Sequence, residues 1–206
     1  STKRNQWYAR ARTYAVRGLG EEGPDLGFLK MSLQSQQLDE EKLAKAVKLL
    51  CVREPRFKSV VKQHGLPSLR ASTGGLSGLL QMVTEQFLSL AAAAAIWKRL
   101  ELRLGLCDAE HVLTCPQEDL VTLGLSRAKA KSFHGIAHAV ASGQFSFDAL
   151  DAMDDAQAHK ALVELPGIGP WTADIYLLSA LGRADAFPAG DLALQISAQN
   201  LFALEE

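Results

Sequence analysis

With 206 residues, 48% of them hydrophobic and 22% charged, the chain is long enough to bury a core and form one large or two small domains. A formal net charge of −1 excludes attraction of polyanions by the whole-molecule field, so any anion binding must come from local patches. No apolar run approaches the roughly 20 residues that span a bilayer, and the charged start Ser1-Thr2-Lys3-Arg4-Asn5-Gln6 leads to no apolar core with a cleavage site, so neither a membrane anchor nor a signal peptide is expected.

Residues 1–37 are polar and broken at Gly18-Leu19-Gly20-Glu21-Glu22-Gly23-Pro24; they read as an arm or small appended element ahead of a domain over 38–206. The first periodic helix is expected over 39–51, where Leu43, Val47 and Leu50 recur on one face, Asp39 can cap and Glu41 precedes Lys45 by four residues. It stops before Pro55. A Ser/Thr/Gly-rich loop over 69–75 feeds a helix containing Leu79, Leu80 and Val83. After a break near 85–88, Ser89 opens a helix over 90–104 whose alanines at 91–95 are expected to let neighbouring helices approach closely. Further helical patterns occupy 117–123, 127–141, 147–153, 156–165, 170–181 and 191–204. No alternating strand pattern rivals them, so the fold class is all-α.

Cys51, Cys107 and Cys115 form no CxxC pair and read as reduced thiols of a cytoplasmic protein. They also fall short of the four-cysteine series that holds an iron–sulfur cluster. His134 and His138 stand at i,i+4 without a nearby third ligand and read as solvated or packed imidazoles. Basic residues cluster at Lys3, Arg4, Arg10, Arg12 and Arg17 and again at Arg127, Lys129 and Lys131, while acidic ones concentrate in 39–41 and 148–155. Such runs are ordinary solvated faces unless something else marks them.

The densest signal is Leu165-Pro166-Gly167-Ile168-Gly169-Pro170-Trp171-Thr172-Ala173, followed 18 residues after Ala173 by Asp191 in Phe187-Pro188-Ala189-Gly190-Asp191. Two glycines around one apolar residue permit a sharp turn and a close backbone approach to a ligand, and Pro170 suits the first turn of the following helix. Amides at a helix start lack intrahelical partners and favour an anion such as phosphate. The same turn could equally be a plain interhelical connection, and Asp191 a plain N-cap for the apolar series Leu192, Leu194, Ile196, Leu201 and Phe202.

Hairpin, following helix, short Gly/Pro loop and Asp191 together resemble the helix-hairpin-helix DNA glycosylase superfamily, most closely its 3-methyladenine DNA glycosylase II branch. Two other segments carry the resemblance: the apolar helix and Gln-containing break over 79–92, and the Gly-x-Ser-x-x-Lys stretch from Gly124 to Lys129. The resemblance implies two helical lobes, with the hairpin and Asp191 bordering an active-site cleft, and a chain that lacks the family's usual C-terminal helices. It also implies base excision from damaged double-stranded DNA by a monomer with no membrane attachment, in the cytoplasm or nucleoid of a prokaryote or the nucleus of a eukaryote.

Residue by residue, the resemblance makes Asp191 the carboxylate that stabilises positive charge on the sugar as the base departs. It makes Gln86, Ser89, Ser126, Lys129, Gly167, Gly169, Thr172 and Ala173 DNA contacts. Phe87 falls where relatives insert a side chain into the duplex, or else it joins the core. Trp171 occupies the position that holds a Schiff-base lysine in the bifunctional glycosylase/lyases, which implies a monofunctional enzyme leaving an abasic site. There it either stacks on an electron-poor flipped base or packs in the hairpin. The backbone carbonyls of Val163, Leu165 and Ile168 are implied ligands of a Na+ or K+ ion; no other cofactor and no iron–sulfur cluster are expected. The competing expectation is a non-catalytic helix-hairpin-helix DNA-binding module in which Asp191 only caps a helix.

Overall fold

Every regular element among the described residues, 38–105 and 108–204 of the computed structural model, is an α-helix, as the apolar periodicity predicts. The predicted arm over 1–37 lies outside the described residues. In chain order the helices are α1 (Glu40–Arg53), α2 (Phe57–His64), α3 (Gly75–Glu85), α4 (Leu90–Leu104), α5 (Ala109–Thr114), α6 (Gln117–Thr122), α7 (Arg127–Ala141), α8 (Phe147–Ala152), α9 (Asp155–Val163), α10 (Pro170–Ser179) and α11 (Leu192–Phe202).

Helix starts follow local chemistry. Asp39, Ser89, Asp108, Ser126, Ser146, Asp154 and Asp191 each accept an amide hydrogen bond from the first turn they precede. At α9 the cap is reciprocal, because Gln157 reaches back to the Asp154 amide. Two helices were not anticipated. α2 runs only eight residues and begins without a capping side chain, and α5 runs only six, so neither offers the several-turn apolar repeat that marks a helix in a sequence.

The chain divides into two compact units. Arg70–Ala186 forms one, and it contains the hydrophobic core. Leu79, Leu80 and Val83 of α3, Ile96, Trp97, Leu100 and Leu104 of α4, and Phe133 and Ile136 of α7 meet there with Leu162 of α9 and Tyr176 and Leu177 of α10. Each fully buried leucine or phenylalanine contributes about 1.5–3 kcal/mol by leaving water. α7 is central, packing against α3, α5 and α6, while α10 packs on α9 and α3. The alanine tract does less than predicted: Ala93 is buried, but Ala91, Ala94 and Ala95 face outward and Ile96, Trp97 and Leu100 make the contact.

Polar clamps close the unit. Tyr176 Oη accepts the Gly75 amide at 2.8 Å, tying α10 to the start of α3. Beyond α10, the Arg183 guanidinium donates to the carbonyls of Leu150 and Met153 and to the Asp155 carboxylate, which satisfies the end of α8 and the start of α9 together. His134 Nε2 lies 2.8 Å from the Cys115 carbonyl oxygen, a packed imidazole as expected.

The other unit comprises, among the described residues, 38–69 and 187–204, with α1, α2 and α11. Here Phe57 and Phe202 meet edge to face at 5.8 Å, and the Arg56 guanidinium sits 4.5 Å over the Phe202 ring. Glu40 accepts the Leu69 amide, holding α1 to the loop after α2.

Candidate functional site

The connection between α9 and α10 forms a tight hairpin in which the Ile168 amide donates to the Leu165 carbonyl at 3.2 Å. Leu165 and Ile168 turn their side chains into the core, while Pro166 and Gly167 are exposed. The two glycines have different duties. Gly167 has φ +83°, and a Cβ there would lie 2.2 Å from Ser132 Oγ. Gly169 has φ −92° and a Cβ on it would meet no protein atom within 4 Å, so its lack of a side chain serves no intramolecular packing. As N-cap of α10 it offers no side chain to the amides of the first turn, leaving Pro170 at the position where a missing N–H is harmless.

α7 seats this turn. Gly135 packs so closely on Pro166 that a Cβ would come within 2.4 Å of the ring, and Ser132 faces Gly167. Neither residue was anticipated; the signal was two small side chains one helical turn apart just after the basic run. A second tie joins the two hairpin helices, with His159 Nε2 3.4 Å from Asp174 Oδ1. Burial pushes the Asp174 carboxyl above its ordinary value, and His159 pulls it the other way.

Gln86, between α3 and α4, sends its side-chain amide to the hairpin rather than outward. Nε2 donates to the Gly167 carbonyl at 3.2 Å and to Thr172 Oγ1 at 3.1 Å. The next residue, Phe87, is fully exposed and has φ +58°, a left-handed conformation costing about 1–3 kcal/mol for a residue with a side chain. The core alternative for Phe87 is therefore excluded. Leu88 and Leu90 beside it are also exposed.

Several predicted contacts have inward duties. Lys129 Nζ donates to the carbonyls of Thr84 at 2.8 Å and Gln86 at 2.7 Å, and burial lowers its pKa below the ordinary lysine value. Its ammonium thus fixes the turn after α3, whereas Arg127 and Lys131 are exposed. Ser89 and Ser126 are N-caps of α4 and α7. Ala173 is corrected outright as a phosphate donor: its amide donates to the Gly169 carbonyl at 3.0 Å and its side chain is fully buried. Thr172 is buried with its hydroxyl engaged by Gln86, and Trp171, the second residue of α10, is 40% exposed.

Asp191 belongs to the other unit, where its Oδ1 accepts the Leu194 amide at 2.9 Å at the start of α11. The loop before it is closed by bonds from the Ala189 amide to the Phe187 carbonyl and from the Asp191 amide to the Pro188 carbonyl, and Gln195 Nε2 donates to the Ala189 carbonyl. Backbone and carboxylate are both held.

A profile of the HhH-GPD superfamily of base excision DNA repair proteins matches residues 80–206, more than half of the chain and inclusive of α10, the hairpin and Asp191. The chain belongs to the HhH-GPD superfamily. Among its relatives, the alkylbase DNA glycosidase-like protein mag2 of Schizosaccharomyces pombe is 26% identical over 167 residues, covering 78% of each chain. Among solved structures, the fold resembles the DNA-3-methyladenine glycosidase of Bacillus halodurans, with a TM-score of 0.67 at 29% identity over 76% of this chain and 73% of that one. It also resembles the 3-methyladenine DNA glycosylase Mag1 of Schizosaccharomyces pombe, solved in complex with abasic DNA, with a TM-score of 0.70 at 25% identity over 79% and 82%.

Proposed function

We propose that this HhH-GPD chain is a monofunctional DNA glycosylase that flips alkylated purines such as 3-methyladenine out of duplex DNA and hydrolyses their N-glycosidic bond, leaving an abasic site. The observation that carries the reading is the family match over the hairpin and Asp191, joined to a tryptophan where a lyase needs an amine. The relatives named for 3-methyladenine support the substrate class.

Hydrolysis divides into a grip, an extrusion and a bond cleavage. Gly167, Gly169 and the first turn of α10 grip a phosphate, which sets register without reading a base. Phe87 enters the stack, offsetting part of the few kcal/mol that unstacking costs. Trp171 presents an aromatic face to a base that already carries positive charge. The Asp191 carboxylate stabilises the oxocarbenium-like sugar and orients water towards it. An alkylated purine leaves as a neutral base once the bond breaks, so no second acid is required.

Carbonyl oxygens are the donor type a hard cation takes, and the Leu165 carbonyl, which accepts the Ile168 amide at 3.2 Å, has a second lone pair to offer. Val163, Leu165 and Ile168 would hold Na+ or K+ there, placing positive charge beside the phosphate grip.

A non-catalytic DNA-binding module remains the second reading, because capping α11 accounts by itself for an aspartate at 191. Asp191→Asn separates the two, since asparagine caps a helix as well as aspartate does. Incubation with a methylated duplex and detection of free base should show release by the wild type and almost none by Asp191→Asn at unchanged stability. Equal release by both rejects Asp191 as the catalytic group, and binding without release establishes the module.

A further inference from the structure

We propose that Lys129 is a positioning residue for Phe87 and that, through Gln86, it locks the aromatic turn and the hairpin into one unit. This rests on Phe87 acting as the wedge. Phe87 has a left-handed backbone, yet its ring is fully exposed and contributes no core contact to hold that backbone. Strained backbone persists only where its surroundings over-determine it, so the restraint must come from the flanking residues.

On one side, Lys129 Nζ takes two carbonyls, those of Thr84 and Gln86, at 2.8 and 2.7 Å. These lie at the C-terminal end of α3, where intrahelical donors have run out and the helix dipole favours a cation. On the other side, the Leu88 amide donates to the Glu85 carbonyl and Ser89 caps α4. Gln86 then extends the network from its own side chain to Gly167 and Thr172. The ring that enters the duplex consequently stands at a fixed offset from the backbone that grips phosphate. Such preorganisation lowers the cost of ordering the turn on binding. Within the run Arg127, Lys129, Lys131, only the middle residue is turned inward, which marks its ammonium as internal machinery rather than a direct phosphate contact.

The test uses DNA methylated with dimethyl sulfate, presented as a duplex and as the same strand unpaired, with single-turnover release of base as the readout. Lys129→Met should slow release from duplex by about 10- to 100-fold, the scale of a small misplacement at a site, and release from the single strand much less. Lys129→Arg should restore most of the duplex rate. Phe87→Ala should show the same substrate pattern, and Lys129→Met combined with Phe87→Ala should be no slower than Phe87→Ala alone, because both changes remove one function. Additive losses, or equal losses on both substrates, overturn the proposal. A duplex-specific loss in Phe87→Ala with none in Lys129→Met leaves the wedge standing and removes Lys129. No such loss in Phe87→Ala removes the wedge and this inference with it. Chymotrypsin cleavage after Phe87 supplies a readout independent of DNA: it should be faster in folded Lys129→Met than in the wild type, and an unchanged rate counts against the proposal. If Lys129→Met does not fold, Gln86→Leu carries the comparison, since it cuts the tie to the hairpin while leaving the Gln86 carbonyl in place; an unaltered duplex rate there overturns the coupling.

Discussion

Gly167 and Gly169 look alike in the sequence and should respond in opposite ways to alanine. At Gly167 the positive φ and the Ser132 contact oppose any side chain, so Gly167→Ala should lose more than about 1 kcal/mol of stability. Gly169→Ala adds a methyl to open space at an allowed φ, so thermal unfolding should barely move while duplex affinity falls; unchanged affinity would reduce Gly169 to a turn residue. Trp171 predicts a chemical absence: the wild type should form no borohydride-trappable adduct with abasic or methylated DNA, and robust trapping would sink the monofunctional mechanism. Tyr176 makes a pH prediction. Burial pushes its phenol up to about 12 while its bond to Gly75 opposes the shift. A folded value above the unfolded one of about 10 stabilises the protein below pH 10, and that contribution is lost as pH rises through about 12. Tyr176→Phe should therefore cost about 1 kcal/mol at neutral pH and flatten the alkaline limb of a pH–stability curve; a limb of unchanged slope would show that other groups set it. Residue identity alone could not assign Phe87 or Lys129, because an aromatic after a helix suits a core as well as a wedge, and a lysine in a basic run suits solvent as well as a carbonyl pair. The structure separates the alternatives: Phe87 is fully exposed, and Lys129 Nζ lies within 3 Å of the Thr84 and Gln86 carbonyls.

Helices were legible wherever an apolar stripe and a cap coincided, as at α4, α7 and α9. α2 and α5 escaped because both are short and α2 has no capping side chain at its start. The capping box of α9 invites a direct test, since this helix is the first arm of the hairpin. Asp154→Ala removes an acceptor for the Gln157 amide and should cost about 1 kcal/mol, read as a lower denaturation midpoint with an unchanged urea m-value. The element that sequence reasoning undervalued is α7. Its basic N-terminus drew notice, but its contribution to the site comes from Ser132 and Gly135, whose smallness lets the hairpin turn settle against it. Small residues on a helix carry no chemical signature, so their partner had to be seen.

For the molecule as a whole, the all-α class and the family were written in the order of the motifs, and two lobes followed from the resemblance, whereas the boundaries of the two units, near 69/70 and 186/187, were not legible, because a helix pattern shows which face is apolar but not which helix it meets. Net charge sets an expectation at this scale. With a formal charge of −1 and a proposed grip confined to the hairpin and the first turn of α10, duplex binding should depend on salt with a log–log slope of only a few, at about 0.9 per phosphate contacted. A slope near 8 would mean about nine phosphates contacted, more than the hairpin alone can reach.

With Trp7, which lies outside the described residues, replaced by phenylalanine, the unequal burial of the two remaining tryptophans makes the protein its own optical probe. Trp97 sits in the core at 7% exposure, while Trp171 opens to solvent at 40% beside the proposed phosphate grip. Emission from the first should be blue-shifted and shielded from acrylamide, and emission from the second red-shifted and quenchable. A flipped base stacking on Trp171 would dim only the quenchable fraction, so a titration in the presence of acrylamide follows the hairpin's occupancy without a label on either the protein or the DNA.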